Sequence, residues 1–457
     1  MNRKEISFFT NYILIFIMFV YFFILISGTS SINIEVKAAF FANFILVMYG
    51  IITAKKDISV FKSSLYFFLF FLIIAPINQL IAGYAPWGEE ITNSEIFRAN
   101  VIIFVYNLIF ILSYKQKYKI TITDRKVEGA LTEIPTNKFF YQSLFLISTF
   151  SFFVGVALIG FQNLFVRGEA IVTGSTFSLI IDFLIRSIPV LSLSIFLYSK
   201  KATVLYSKSI GFNMMLLLLV LYSILLNFPT SLSRFLIGTV YLGLIVSFLP
   251  KKFWRYKKFD ILFLFMILIL FPLFYLFKNY TVNQLLSGEI QINIKNFNAV
   301  DFDAFTLIGR TIRFVEEQGF QLGKQIRSTV FFFIPQSFLD LKGLPSGELV
   351  ATTQNFFYTN LSEPIMAEAY IDFGFIGVVS YGAIIGTLLA KIDAMEEIAS
   401  NINKKIYFVQ PVSAFLLGFI IYLNRGALQP TFLRLMGFFL FLILIYLNVN
   451  LNKKKRF

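Results

Sequence analysis

The chain carries one apolar stretch after another, each long enough to cross a lipid bilayer. A helix needs roughly 20 residues to span about 30 Å of hydrocarbon. Twelve such stretches alternate with polar loops, at 8–27, 38–54, 64–83, 97–113, 139–161, 177–198, 211–227, 235–250, 259–277, 373–390, 406–423 and 433–450. The pattern predicts an all-α integral membrane protein with about twelve transmembrane helices.

Composition supports the same interpretation. Residues of the AVILMFWYC set make up 57% of the chain and charged residues only 14%, against about 25% charged residues in soluble domains. A water-soluble fold cannot hide that much apolar surface, so lipid must be the solvent. The first stretch is too long for a cleavable signal peptide and is followed by no small-residue cleavage site.

The loops differ in charge on the two sides of the predicted bundle. Loops on the side of the N-terminus hold 26 Lys and Arg against 9 Asp and Glu, and the remaining residues hold 14 against 16. The positive-inside rule therefore predicts that both termini are cytoplasmic. This asymmetry accounts for the formal charge of +15, so membrane lipid is an expected partner and nucleic acid is not.

The longest polar interval falls late in the chain. We divide the sequence into transmembrane helices 1–9 (residues 1–277), a large extracytoplasmic loop (278–362), and transmembrane helices 10–12 with a cytoplasmic C-terminus (363–457). Residues 305–330 are expected to form one or two amphipathic helices near the membrane surface, followed by a turn-rich segment at 334–347. A functional site on this outer face is the natural inference.

The residue inventory restricts the chemistry. The chain has no cysteine and no histidine, which removes thiolate chemistry and the commonest general base and metal ligand. Neither GxxxxGK[ST] nor GxGxxG occurs, which argues against ATP or a nucleotide sugar as substrate. We expect neither a cofactor nor a metal.

Basic residues change type between the two sides. The cytoplasmic set is 22 Lys and 4 Arg, whereas the outer and intramembrane set is 9 Arg and 5 Lys. Arginine presents a planar, permanently charged fork that suits phosphate. A polyanionic substrate is one interpretation, and pairing with acids such as Glu169, Asp182, Glu316 and Glu317 is the other. The outer arginines are Arg98, Arg167, Arg186, Arg234, Arg310, Arg313, Arg327, Arg425 and Arg434.

Four of these arginines are the best candidates for binding. Arg234 lies at the outer lip of the eighth stretch, where a buried guanidinium is usually functional because burial is unfavourable. Arg310 and Arg313 share a face of the expected external helix, although Arg313 has a salt-bridge alternative with Glu317, four residues on. Arg425 lies in a short outer loop and is expected to face the same cavity.

Two carboxylates mark the start of the tenth stretch. Glu368 and Asp372 are four residues apart, so on a helix both point the same way. Such a pair is suited to general-base chemistry, and the alternative is that it complements the positive end of the helix dipole. The glycines that follow favour close helix packing. They are Gly374, Gly377, Gly382 and Gly386.

Four short runs resemble a known family of membrane enzymes. They are residues 331–337 (FFFIPQS), 340–342 (DLK), 346–348 (SGE) and 368–377 (EAYIDFGFIG). Together with the twelve-span plan and the late outer loop, they resemble Wzy-type oligosaccharide repeat-unit polymerases, which make O-antigen, capsule and exopolysaccharide chains. Gln336 departs from this likeness, since an arginine is expected there in many members.

The resemblance implies a GT-C-like membrane glycosyltransferase. It would transfer a growing glycan from undecaprenyl pyrophosphate onto a new lipid-linked repeat unit at the outer leaflet. The donor brings its own leaving group, so neither nucleotide nor metal is required. A chain-length regulator and a flippase are the protein partners that this role allows.

These implications lead to a hypothesis for the site. Five basic residues would bind the pyrophosphates, namely Arg234 and Arg425 with help from Arg310, Arg313 and Lys342. Glu368 would take the proton of the acceptor hydroxyl, with Asp372 and Glu348 as alternatives.

Two other functions are open at this point. An O-antigen ligase has a similar architecture, but that family is associated with an outer-loop histidine. A lipid-linked oligosaccharide flippase or other transporter would be expected to show repeat symmetry and polar residues near the midplane.

Overall fold

The computed structural model describes residues 18–28, 32–54, 56–88, 90–166, 176–202, 209–254, 258–270, 297–332, 334, 343–402 and 405–454. Within these residues the chain is helical and contains no β-strand. Its extended backbone pairs only at an isolated antiparallel bridge between Glu133 and Tyr407.

The structure contains fifteen helices among the described residues. Those in the first part are α1 (Met18–Ser27), α2 (Ile34–Thr53), α3 (Val60–Ile81), α4 (Asn93–Thr123), α5 (Lys138–Ile159), α6 (Thr176–Ala202), α7 (Ile210–Leu226), α8 (Arg234–Phe248) and α9 (Lys258–Phe265), which continues as a π turn over Met266–Leu270. The later helices are α10 (Ala304–Gln318), α11 (Lys324–Val330), α12 (Ser346–Thr353), α13 (Ile365–Asn401), α14 (Val409–Arg425) and α15 (Leu428–Lys454). Single turns lie at Pro86–Gly88, Lys126–Ala130, Gln162–Phe165, Lys251–Trp254 and Val300–Phe302.

Seven of these helices are long and apolar enough to cross a membrane, counted over the described residues. They are α2, α3, α4, α5, α6, α13 and α15. Each coincides with a predicted span, so the expectation of an all-α protein embedded in a membrane is confirmed.

The other predicted spans fall on shorter elements. Helices α1, α7, α8 and α14 are apolar but only 10 to 17 residues long. Helix α9 opens the span expected at 259–277, and the rest of that span lies outside the described residues, as does the first half of the span at 8–27. A total of twelve spans and a GT-C-like architecture stay predictions.

Close packing of α13 on α4 organises the core, and two glycines permit it. A Cβ atom at Gly386 would lie 2.5 Å from the carbonyl oxygen of Phe110, and one at Gly382 would lie 3.1 Å from that of Tyr106. Real side chains do not tolerate the first distance. The small residues therefore let the two backbones meet, as the sequence pattern predicted.

Every residue in the apolar part of helix α3 is buried inside the protein. A π turn interrupts it at Phe70–Ile74, directly before Pro76. Proline has no amide hydrogen and its ring clashes with the preceding turn, so a local widening of the helix is the expected response.

Charged contacts divide the bundle into two ends. Where α13 and α15 begin, Arg425 pairs with Asp303, and we call this the arginine end. Where α13 finishes, Lys56 pairs with Asp393, and we call this the lysine end. Helices α3, α4 and α13 run from one end to the other. The compartment that each end faces stays a prediction.

The helix expected to lie near the membrane surface, α10, packs against the other helices through its first two turns, and its position relative to the membrane stays a prediction. In α10, the residues from Ala304 to Thr311 are all buried, and Phe305 packs on Phe40 with ring centroids 5.2 Å apart. The first two turns of α10 therefore belong to the core of the arginine end.

Candidate functional site

The turn Val300–Phe302, together with Asp303, forms the centre of the candidate site. Arg425 approaches it from the end of α14. Its Nε donates to the carbonyl oxygen of Asp301 at 3.0 Å, and its Nη2 donates to Asp303 Oδ1 at 2.9 Å. Its guanidinium also lies over the ring of Phe235, 5.1 Å from the centroid. The backbone and side chains of the turn therefore fix the plane of Arg425.

Arg234 reaches the same turn from the start of α8. It is buried, and its Nη2 pairs with the carboxylate of Asp301. The structure thus brings Arg234 and Arg425 together, as the sequence hypothesis expected. It also gives both arginines acidic partners, Asp301 and Asp303, that sequence reasoning had missed.

Asp303 is the junction of several elements. Its carboxylate is fully buried and accepts hydrogen bonds from Ser362 Oγ at 2.7 Å and Trp87 Nε1 at 2.8 Å, besides Arg425. Three donors on one buried carboxylate hold it in a fixed orientation. Since these donors come from three separate parts of the chain, Asp303 ties the segments around Trp87 and Ser362 to the end of α14.

Glu368 lies in the first turn of α13 and is 1% exposed. Its Oε1 accepts from Ser346 Oγ and, at 2.6 Å, from the backbone amide of Leu428. Its Oε2 has no hydrogen-bond partner among the described residues. Leu428 begins α15, three residues after Arg425, so this short connection links the backbone donor of Glu368 to Arg425 along the chain.

Asp372 has a different environment from Glu368, although both belong to the same helical face. Its two carboxylate oxygens accept from the amides of Gln325 and Ile326, each at 3.1 Å. It therefore caps the start of α11. Bound amides satisfy the carboxylate, which fits a structural role.

A break in α13 follows directly. Phe373 and Gly374 have non-helical backbone angles, with φ of +59° at Gly374. The carbonyl groups freed by the break, those of Ile371 and Asp372, accept from the amides of Gln321 and Leu322 at 2.8 and 3.0 Å. The chain before α11 thus completes the hydrogen bonding that the helix loses.

The two arginines of α10 serve separate contacts. Arg310 is fully buried and lies over the ring of Phe356, 5.1 Å from the centroid. Arg313 makes a two-pronged pair with Glu95, at 2.8 and 3.1 Å. The salt bridge with Glu317 that the spacing allowed is replaced by this pair, because α4 lies closer to the guanidinium than the next turn of α10 does.

Other sequence candidates lie apart from the arginine pair or outside the described residues. Arg98 pairs with Glu316, and Arg186 pairs with Asp182 at 2.8 Å, as the salt-bridge alternative predicted. Glu348 is half-buried in α12. Lys342, Arg167, Glu169 and most of the run 333–342 lie outside the described residues.

Glu363 was not foreseen from the sequence. It is fully buried just before α13, and its Oε1 accepts from the hydroxyl of Thr311. Burial raises the pKa of Glu363 well above its usual range, and the Thr311 hydrogen bond only partly opposes this. Burial therefore favours the protonated, neutral form of Glu363, which is able to donate a proton or a hydrogen bond.

Several buried polar atoms at this end lack hydrogen-bond partners within the described part of the chain. Besides Glu368 Oε2, they are Glu363 Oε2, Gln354 Oε1, Asn424 Nδ2 and Oδ1, Gln429 Oε1 and Thr431 Oγ1. Unsatisfied buried polar groups are rare in folded proteins and mark sites for water or a polar ligand. In the residues described, no group of three or more acidic side chains is arranged to hold a metal ion.

Comparison with known proteins leaves the chain without an assigned family. No protein family, no curated protein and no solved structure matches it.

Proposed function

We propose that the protein polymerises lipid-linked oligosaccharides by transferring a glycan from a polyprenyl pyrophosphate onto the next repeat unit. The single observation that carries the proposal is the placement of Glu368. One of its buried oxygens is unpartnered among the described residues, and the α14–α15 connection links it to Arg425. A base that a short loop connects to an arginine pair suits this transfer, because the reaction needs a proton acceptor and positive charge for the pyrophosphate.

The arginines supply electrostatic stabilisation. The bond between the anomeric carbon and the pyrophosphate breaks while a new glycosidic bond forms, so negative charge grows on the pyrophosphate. A guanidinium has five N–H donors. The contacts of Arg425 with the turn use its Nε and Nη2, which leaves Nη1 for a ligand. Asp301 and Asp303 would hold the two guanidinium groups in position before the substrate arrives.

Glu368 supplies the base. In the transfer, its Oε2 would take the proton of the acceptor hydroxyl, and the bonds from Ser346 and Leu428 to Oε1 would keep the carboxylate oriented. Asp372 and Arg313 are assigned positioning roles. Backbone amides already donate to the carboxylate of Asp372, and Glu95 already pairs with Arg313. Glu348 stays an alternative base, and Arg310 and Lys342 stay candidates for the phosphates.

A transporter is the second candidate, and the break in α13 favours it. Discontinuous membrane helices often surround transported ligands near the bilayer midplane. Here, however, the break at Phe373 and Gly374 lies at the start of the apolar stretch that is predicted to span the membrane at 373–390. The break would therefore lie at the surface and not at the midplane, which supports the polymerase.

Complementation separates the candidates. The gene is expressed in a strain that lacks its own repeat-unit polymerase but keeps the matching repeat unit, and surface glycan is resolved by length. The proposal predicts a ladder of long chains from the wild type and single-repeat glycan from Arg425→Ala at equal protein level. Single-repeat glycan from the wild type, or internal accumulation of lipid-linked units on its loss, would contradict it.

A further inference from the structure

Three aromatic side chains form a cluster at the arginine end, which we call the aromatic platform: Trp87, Phe357 and Tyr358. The rings of Trp87 and Tyr358 are stacked, with centroids 5.6 Å apart and planes 11° from parallel. Phe357 lies 6.5 Å from Trp87 at a steeper angle, and it is 89% exposed. Exposed aromatic groups of this kind mark binding surfaces.

The backbone holds Trp87 in a conformation that bulky residues avoid. Its φ is +66°, where a side chain with a Cβ atom is strained. The indole N–H donates to Asp303 Oδ2 at 2.8 Å, which fixes the ring. Strain that is compensated by a specific contact indicates that the position of this ring matters.

A cavity of about 430 Å³ with both polar and apolar walls extends to Pro86, the residue before Trp87. Its wall includes residues on both sides of Trp87 in the sequence, among them Tyr84, Glu90, Thr92 and Asn93. Burial and the neighbouring carboxylates of Asp301 and Asp303 raise the pKa of Tyr84, so its hydroxyl remains a donor. The cavity thus combines hydroxyl, amide and carboxylate groups, at a volume typical of small-ligand sites.

Asp303 connects the platform to the arginine pair. One of its oxygens accepts from Trp87, and the other accepts from Arg425. A ligand that places a phosphate on Arg425 therefore has its next group within reach of the platform. In a lipid-linked oligosaccharide that group is a sugar ring, whose C–H faces stack on aromatic rings while its hydroxyl groups seek polar partners.

We propose that the aromatic platform and the adjoining cavity bind a pyranose ring of the lipid-linked glycan next to its pyrophosphate. This assignment rests on the proposed function, whose substrate it specifies. The competing occupant is the lipid interface itself, because Trp and Tyr also gather at membrane surfaces. Polar lining and the hydrogen bond to Asp303 favour the sugar, since neither is needed for an interfacial anchor.

Fluorescence gives a direct test, because the chain has only two tryptophans. The full chain with Trp254→Phe keeps Trp87 as its sole tryptophan and is studied in nanodiscs. The probe is the repeat-unit oligosaccharide of the native host, released from its lipid carrier. We expect a saturable change in Trp87 emission with this probe and none with myo-inositol at equal concentration. No saturable change, or quenching of Trp87 by brominated lipid that the oligosaccharide does not relieve, would overturn the assignment.

Substitutions show which rings take part. Tyr358→Ala and Phe357→Ala are each expected to weaken oligosaccharide binding at least tenfold, whereas Tyr358→Phe keeps the ring and is expected to bind as the parent does. Phe139→Ala is a matched control, because Phe139 is 77% exposed at the start of α5, at the lysine end. Equal binding by all variants would contradict the platform.

The two proposals can fail separately. If the wild type forms polymer but Trp87 emission does not respond to the oligosaccharide, the platform assignment is wrong and the polymerase proposal stands. Saturable oligosaccharide binding without polymer formation would leave the platform as a glycan site and remove the polymerase.

Discussion

Arg425 Nη2 donates to Asp303 Oδ1 over 2.9 Å, although 122 residues separate the two in the chain. Asp303 is fully buried, and the side chain of Arg425 is 16% exposed. This contact joins the segment before α10 to the end of α14. It also positions one member of the arginine pair that we assign to the pyrophosphate.

Asp303→Asn should therefore damage both stability and activity. Removing one partner of a buried pair leaves an uncompensated charge, which costs about 3–5 kcal/mol. We expect a lower midpoint of thermal unfolding in detergent and at least a tenfold loss of polymer formation. Arg98→Ala is the control, since its pair with Glu316 is exposed and is worth about 1 kcal/mol or less. Equal effects of the two substitutions would contradict the assigned role of Asp303.

Asp372 tests the distinction between a base and a cap. Asp372→Asn keeps one acceptor oxygen for the amides of α11, so we expect a loss of about 1 kcal/mol, typical of a weakened helix cap. Activity per folded molecule should fall less than tenfold. Rates are measured at matched amounts of folded protein. Complete loss of activity with unchanged stability would make Asp372 the base instead.

The buried carboxyl of Glu363 predicts a pH dependence of stability. Its folded-state pKa lies above the unfolded value, so between the two values the folded state binds more protons than the unfolded chain. The contribution of Glu363 to the free energy of unfolding is therefore complete below about pH 4.3. It is lost as the pH rises toward the pKa of Glu363 in the folded state. Thermal unfolding between pH 5 and 8 should show the wild type losing stability as the pH rises.

Two substitutions isolate this effect. Glu363→Gln cannot ionise, so its stability should vary less with pH than that of the wild type. Thr311→Val removes a hydrogen bond that holds the pKa of Glu363 down, so the decline should extend to higher pH. Identical pH profiles of all three proteins would show that Glu363 is not the titrating group.

The glycines of α13 predict a graded response to added methyl groups. Gly386→Ala would place a Cβ atom 2.5 Å from backbone oxygen, whereas Gly382→Ala would place one at 3.1 Å. Overpacking of this kind typically costs about 1–3 kcal/mol. We expect the midpoint of thermal unfolding to fall more for Gly386→Ala than for Gly382→Ala. The reverse order would mean that α4 and α13 are packed differently.

Much of the fold follows from local pattern, whereas the site depends on distant contacts. Apolar length located the helices because about twenty apolar residues have few alternatives in lipid. The sequence also singled out Arg234, Arg425 and Glu368. It did not reveal Asp301 or Asp303, because an ordinary acidic turn acquires its meaning only when α8 and α14 approach it.

The interpretation of Asp372 shows the same limit. Its spacing from Glu368 indicated a shared helical face, but no local signal reveals that the start of α11 binds its carboxylate. The packing of α10 shows this limit as well, whereas its position relative to the membrane stays a prediction. An amphipathic pattern gives the face of a helix that is buried, but not the partner that buries it.

Polymerisation by the purified protein tests the central claim most directly. Wild type and Glu368→Gln are reconstituted in liposomes with the lipid-linked repeat unit, and the products are resolved by length. The proposal predicts a ladder of multiples of the repeat unit from the wild type. It predicts at least a hundredfold less polymer from Glu368→Gln, with an unchanged midpoint of thermal unfolding. A wild type that forms no polymer, or a variant as active as the wild type, would contradict it.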